Sequence, residues 1–361
     1  MALAKQLVSS ALRLCGSNVK VQTRNASYKA AVLRELKAPL KIEDVKAPKK
    51  LKTGEIRVAV ESCGVNSTDA LICQGEFELK PKLPFIPGFE IAGTVKELGP
   101  DVSGFRVGDR VLGLNKENFS GFAQQCVLAA EDLWVFPDSI KFEEAAALAD
   151  AYSTALLGMA RRANLQEGDT VLVTAAAGGL GLAAVDLAAN VYRAKVIGVC
   201  GTEDKAELVR EKGAWAALTY NPKNLKDKVN EVTEGKGVRV VFDAVGGQIF
   251  QDAINCVAHE GKVIVAGFAS KQVPQIQTSS LLPKSFSLVG VSLTHYRKTD
   301  PQVYRQDINF HEQAVEDVID MCEQGLISPH VSAEFDLDEV NEALKFLEER
   351  KSTGKVVLEL N

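Results

Sequence analysis

Residues 171–181, Val-Leu-Val-Thr-Ala-Ala-Ala-Gly-Gly-Leu-Gly, limit the architecture of this chain more than any other stretch. The run 171–174 reads as a strand, and Leu180, Ala184, Leu187 and Val191 then recur at helical spacing. The passage between them is made on alanine and glycine, with no side chain to do chemistry. A strand that turns directly into a helix on small residues opens a β–α–β unit. Further strand-like runs follow at 196–200, 216–218, 240–242, 263–266 and 288–291, with helical candidates at 203–212, 224–233 and 248–258. Strand alternating with helix implies right-handed crossovers and a mainly parallel sheet. Six strands match a doubly wound dinucleotide fold.

The turn itself suggests the ligand. Backbone N–H groups at a helix start face outward, and the helix dipole favours an anion there. Ala177, Gly178, Gly179, Leu180 and Gly181 are therefore expected to hold a pyrophosphate. Gly178 permits close backbone approach, and Gly181 permits close packing of helix on strand. The common G-x-G-x-x-G is not met, because Ala176 takes the first glycine's place, and a turn serving only as a loop is the alternative. An NAD site usually carries an acid at the end of the second strand. Here that strand ends in Cys200-Gly201-Thr202, which puts Glu203 and Asp204 on the next helix. Thr202 and Lys205 are left to hold a 2′-phosphate, so NADP(H) is expected; the alternative is a solvated Lys205.

Elsewhere the chain reads differently. Residues 28–145 are β-rich, with apolar runs at 56–60, 90–95, 110–114 and 121–128 and no long helical period before Glu143. After His311 the helical period returns at 312–325 and 338–350, and 355–360 reads as a final strand expected to rejoin the first domain. The expected boundaries are 1–26, 27–149, 150–293 and 294–361. Residues 1–34 carry six Lys or Arg and no acid, with Leu3, Leu7, Ala11 and Leu14 on one helical face. That pattern describes a mitochondrial transit peptide over 1–26 and residence in the matrix; a basic tail on a cytoplasmic protein is the alternative. The net charge of −5 argues against nucleic-acid partners, and no stretch reaches the ~18 apolar residues of a membrane span. The seven cysteines include no C-x-x-C, and all four histidines stand at or after His259. The first 258 residues thus offer no imidazole base or metal ligand.

Several motifs together resemble the medium-chain dehydrogenase/reductase superfamily, and within it the zinc-free quinone oxidoreductase, or zeta-crystallin-like, branch. They are Gly64-Val65-Asn66-Ser67-Thr68-Asp69, residues 83–90 (LPFIPGFE), Val107-Gly108-Asp109-Arg110-Val111, the glycine turn, residues 241–247 (VFDAVGG) and Ser352-Thr353-Gly354-Lys355. The resemblance implies a Rossmann-type doubly wound parallel sheet inserted into a GroES-like β-rich catalytic domain, which the tail completes. It implies Lys205 and Tyr220 beside the 2′-phosphate, with Thr202 in the same turn. It implies Val245, Gly267, Phe268 and Ala269 along the nicotinamide side, and Lys355 in a segment closing the cleft; strand-end packing is the alternative for Gly267 and Ala269. Zinc members of the superfamily carry cysteine where Asn66 stands, histidine where Phe89 stands, and four closely spaced cysteines besides. No such set exists here, so no metal is expected. Many members of the branch place a tyrosine where this chain has Leu71.

The function implied is hydride transfer from NADPH to a small electrophilic acceptor, a quinone or an α,β-unsaturated carbonyl. Asn66 and Asp69 would shape the acceptor cleft, with a turn or cap role equally open to Asp69. A mitochondrial enoyl-thioester reductase and a non-catalytic, crystallin-like NADPH-binding protein are the alternatives. A homodimer is implied, through a sheet edge near 288–293. The loop 294–306 has no readable chemistry.

Overall fold

The computed structural model describes residues 27–77, 80–298 and 310–360. The basic leader 1–26 and positions 299–306 of the loop noted above lie outside them. In chain order, β1 (Ser27–Val32) and β2 (Lys41–Lys46) form an antiparallel ribbon. β3 (Glu55–Val65), β4 (Glu90–Leu98), β5 (Arg110–Leu114), β6 (Gln125–Ala129) and β7 (Leu133–Val135) pair antiparallel. β8 (Thr170–Thr174), β9 (Lys195–Cys200), β10 (Ala216–Thr219), β11 (Val238–Asp243), β12 (Val257–Val265) and β13 (Ser287–Gly290) form a separate sheet. β14 (Val331–Asp336) and β15 (Lys355–Glu359) then return, and β15 pairs antiparallel with β3.

The second sheet has the order β10-β9-β8-β11-β12-β13, parallel throughout. This is the Rossmann order, with its switch point between β8 and β11, where ligands bind at the strands' carboxyl ends. Val171, Leu172 and Val173 of β8 are wholly buried because helices cover both faces. The crossover helices are α3 (Gly179–Asp186), α4 (Glu203–Glu211), α5 (Leu225–Val232) and α6 (Gly247–Ile254). Before them come α1 (Ser67–Cys73) and α2 (Ala149–Leu156); after them come α7 (Phe310–Glu323) and α8 (Val340–Glu348). The fold is thus a Rossmann-like parallel sheet joined to a GroES-like β-domain.

α2 is the joint. One hydrophobic core runs from Phe89, Leu112 and Trp134 through Ala149, Ala155 and Met159 to Val173 and Leu182. The sequence reading left α2 out because residues 149–157 are almost all buried or nearly so, and a helix apolar on every side has no period to read. α1 was also missed: with seven residues it is too short for a periodic signal. The helix expected over 248–258 stops at Ile254, since Val257 is captured by pairing with Val238. The strand expected over 121–128 begins at Gln125; upstream, Ser120 and Gly121 bond the Gly88 carbonyl instead. β14 was not anticipated, because its half-exposed residues lack an apolar run.

A Cβ on Gly181 would lie 2.2 Å from the backbone oxygen of Ala175, which cannot yield cheaply. At Gly178 the nearest atom is that same oxygen at 3.3 Å. Gly181→Ala is therefore expected to lower stability by about 1–3 kcal/mol, and Gly178→Ala by distinctly less. Thermal unfolding of the two variants checks the order; equal losses would contradict this account of the turn.

Candidate active site

Gly178 caps α3 in extended conformation, and Leu182 N–H returns to the Gly178 carbonyl at 2.7 Å. The amides of Gly179, Leu180 and Gly181 belong to the first helical turn, which has no intrahelical acceptors. A Cβ at Gly178 would meet only the Ala175 oxygen at 3.3 Å, and one at Gly179 the Gly354 carbonyl oxygen and carbon at 3.3 and 3.9 Å, so small residues keep room over the turn. Those residues fit a pyrophosphate. Ala177 is buried, and its carbonyl accepts from Gly354 N–H at 2.7 Å, so Gly178 and Gly354 form an isolated parallel bridge. The far end of the chain is laid along the turn.

At the switch point Thr174 donates to Asp243 at 2.5 Å, and Asp243 also accepts from Gly246 N–H at 2.8 Å. Burial pushes the Asp243 carboxyl up. Ala269 N–H bonds the Ala244 carbonyl and Ser270 N–H the Val245 carbonyl, both at 3.0 Å. Val245, Gly267, Phe268 and Ala269 are thereby gathered at the ends of β11 and β12, with Phe268 exposed.

Thr202 caps α4 by accepting from Lys205 N–H. The Lys205 ammonium donates to the carbonyls of Arg350 (2.7 Å) and Ser352 (3.0 Å). Burial lowers its pKa, with the Arg350 charge adding to the effect. Tyr220 stands at the same strand end, its N–H on the Cys200 carbonyl, but its hydroxyl goes to Asp252 at 2.6 Å. Glu203 sits on α4 and is engaged by Arg210 and Thr219. Thr202 and Lys205 thus come together, Tyr220 is turned to another partner, and Arg350, which no motif signalled, joins them.

The third group lies between the sheets. Asn66 precedes α1, and its N–H donates to Asp69 at 2.9 Å. The other Asp69 oxygen accepts from Gly88 N–H at 3.0 Å. Asp69 is fully buried, which raises its carboxyl to about 7 despite those two bonds. It pins two backbone segments. Glu90, also fully buried, accepts from Asp150 N–H at 2.8 Å and from the Asn66 amide at 3.2 Å. Lys355 meets Glu90 at 2.6 Å and donates to the Asn66 oxygen at 2.7 Å. Burial, the largest single effect, would lower Lys355, but the Glu90, Asp150 and Asp69 carboxylates together outweigh it and the pKa rises. The Lys355 N–H bonds the His330 carbonyl at 2.8 Å while its side chain enters the Asn66–Glu90 cluster. Lys116 pairs with Asp150 at 2.5 Å beside them. Neither Lys116 nor Asp150 was foreseen; the one signal was a lone acid inside the small-residue run 145–151. Among the described residues no three His, Cys, Asp or Glu side chains gather to hold a metal ion.

Comparison with known proteins agrees with this geometry. The family model described as zinc-binding dehydrogenase matches residues 179–313, and that of the alcohol dehydrogenase GroES-like domain matches residues 52–139. A quinone oxidoreductase-like protein 2 homolog from Nematostella vectensis is 46% identical over 97% of this chain and 94% of its own length. Quinone oxidoreductase-like protein 2 of Rattus norvegicus is 41% identical over 96% of each chain. Quinone oxidoreductase of Sus scrofa is 30% identical over 85% of this chain and 89% of its own. Among solved structures, Escherichia coli quinone oxidoreductase complexed with NADPH superposes with TM-score 0.81 at 27% identity, over 92% of this chain and 100% of that one. A mycobacterial protein complexed with NADPH gives TM-score 0.82 at 30% identity, over the same shares.

Two expectations follow from the buried charges. Lys355→Met strands the Glu90 carboxylate and should cost about 3–5 kcal/mol, most of it recovered by adding Glu90→Gln; urea unfolding of the single and double variants measures this. Asp69 has a folded pKa raised from 3.8 to about 7. Its contribution to stability is present below about pH 4 and is lost as pH rises through about 7. Wild type should therefore lose stability relative to Asp69→Asn between about pH 4 and 7 and level off above that, read from the same unfolding curves.

Proposed function

The chain belongs to the quinone oxidoreductase branch of the medium-chain dehydrogenase/reductase superfamily, and on that premise we propose that it is an NADPH-dependent reductase acting on a quinone or an α,β-unsaturated carbonyl without a metal ion. The observation that carries the metal-free reading is Lys355. Its ammonium sits on Glu90 and Asn66, at the position where zinc members place a cysteine ligand. A divalent ion there would face a fixed positive charge and an amide in place of a thiolate. The bound coenzyme supplies the hydride.

The chain's own residues bind, orient and exclude water. The amides of Gly179, Leu180 and Gly181 hold the pyrophosphate, on a turn that Ala177 and Gly178 shape, the Gly178 N–H being spent on the Ala175 carbonyl at 2.9 Å. Thr202 and Lys205, with Arg350, receive the 2′-phosphate, for which two cations and the absence of an acid at the strand end are the support; Tyr220 flanks the site with its hydroxyl on Asp252. Val245, Gly267, Phe268 and Ala269 line the nicotinamide side. Asn66, fixed at both ends by Lys355 and Glu90, shapes the acceptor cleft, and Asp69 holds Asn66 in place. The proposal includes a homodimer through β13, an edge strand of its sheet, and mitochondrial residence directed by residues 1–26.

Coenzyme fluorescence titration tests the reading. NADPH should bind at least about tenfold tighter than NADH, and Lys205→Ala should remove most of that preference, since a charged hydrogen bond contributes about 1.5–3 kcal/mol. Indifference to both coenzymes, stoichiometric zinc in the purified protein, or turnover at background rate on every quinone and enone would overturn it.

A further inference from the structure

Lys116 rises from a loop whose base is rigid. Asn115 is buried, its N–H bonds the Phe89 carbonyl at 2.9 Å, and its side-chain oxygen accepts from the N–H groups of Glu117 and Asn118, each at 2.9 Å. The Lys116 ammonium lies 5.1 Å from the centre of the Phe89 ring and 2.5 Å from Asp150. Phe89 packs edge-on against Phe119, and Phe119 against Phe85, with centroids 5.8 and 5.2 Å apart. A cation therefore stands over an aromatic wall, next to the Glu90 cluster that Asp150 joins through its own N–H.

The neighbouring polar groups are already committed. Asn66 is bonded through both its amide oxygen and its amide nitrogen. Lys355 is buried on Glu90 and Asn66. The Tyr152 hydroxyl is given to Asp186 and the Ser153 hydroxyl to the Ala314 carbonyl. Position 71 is leucine, so it brings no phenol. Lys116 differs: its side chain is 24% exposed, and it is held by charge at Asp150 Oδ1, an oxygen that accepts no hydrogen bond among the described residues.

We infer that Lys116 is the acceptor-binding cation of this cleft. The inference rests on the reductase reading above and deepens it. The acceptor is a planar conjugated carbonyl compound that turns one oxygen to the Lys116 ammonium and lies against Phe85, the half-buried end of an aromatic row whose other members, Phe119 and Phe89, are buried. Negative charge on that oxygen grows as the acceptor is reduced, and a preorganised cation favours it where water is excluded. Asp150 is the counter-ion of the ammonium and tempers its charge.

4-Nitrophenol is a planar probe whose visible absorbance reports its ionised fraction directly. The groups facing it are Lys116 and Asp150, with Glu90, Lys355 and His311 behind them. Bound to wild-type protein saturated with NADP+, its pKa should fall by about one unit, a tenfold shift toward phenolate. Lys116→Met should abolish the shift, Lys116→Arg should keep most of it, and Asp150→Asn should enlarge it by freeing the ammonium. NADPH titration and thermal unfolding establish that each variant is folded and loaded. An unchanged shift in Lys116→Met, or no binding of the probe to loaded wild type, overturns the inference and leaves the reductase reading standing. Failure of wild type to bind NADPH overturns that reading itself, and this inference with it.

Discussion

The ion pair between Lys355 and Glu90 is the constraint on which the rest of the cleft depends. Both groups are buried, so each needs the other to offset its desolvation. The pair joins β15 to β4, and through Asn66 and the Asp150 amide it also fixes the entry to α1 and the start of α2. Four separate segments are thus oriented by one carboxylate. Asp69 repeats the device at smaller scale by holding Asn66 and Gly88 together.

The segment from Arg350 to Lys355 extends this constraint across the molecule. Its carbonyls meet Lys205 at one end, Gly354 lies on the glycine turn in the middle, and Lys355 enters the acceptor cleft at the other. Six residues touch the sites proposed for the 2′-phosphate, the pyrophosphate and the acceptor. Gly354 is held there at φ +58°, and a Cβ would lie 2.3 Å from the His330 carbonyl, so only glycine lets the segment run this close.

Much of the architecture was legible because alternation of strand and helix is a strong periodic signal. All six runs of the parallel sheet appear as strands, β8 within one residue of its expected bounds. α2 was not legible because burial on every side erases the period, and β14 because its pairing with β15 supplies what its sequence lacks. The glycine turn was readable since its chemistry is in the backbone. The cleft was harder. Asn66 and Phe89 stood out as departures from a metal-binding pattern, yet Lys355 read only as part of a closing segment, because nothing local says which way a lysine points. Lys116 and Asp150 carried no motif, and only the tertiary fold brings them together.

Asn66 and Lys355 are separated by 289 positions. A ribosome must therefore deliver residue 355, far downstream, before Glu90 acquires its counter-charge. The parallel sheet, closed by β13, has all its strands out of the exit tunnel well before that. The Asn66–Glu90 cluster consequently matures after the parallel sheet, and a nascent chain halted short of residue 355 would carry an uncompensated anion at its heart, a state that chaperones and proteases would meet.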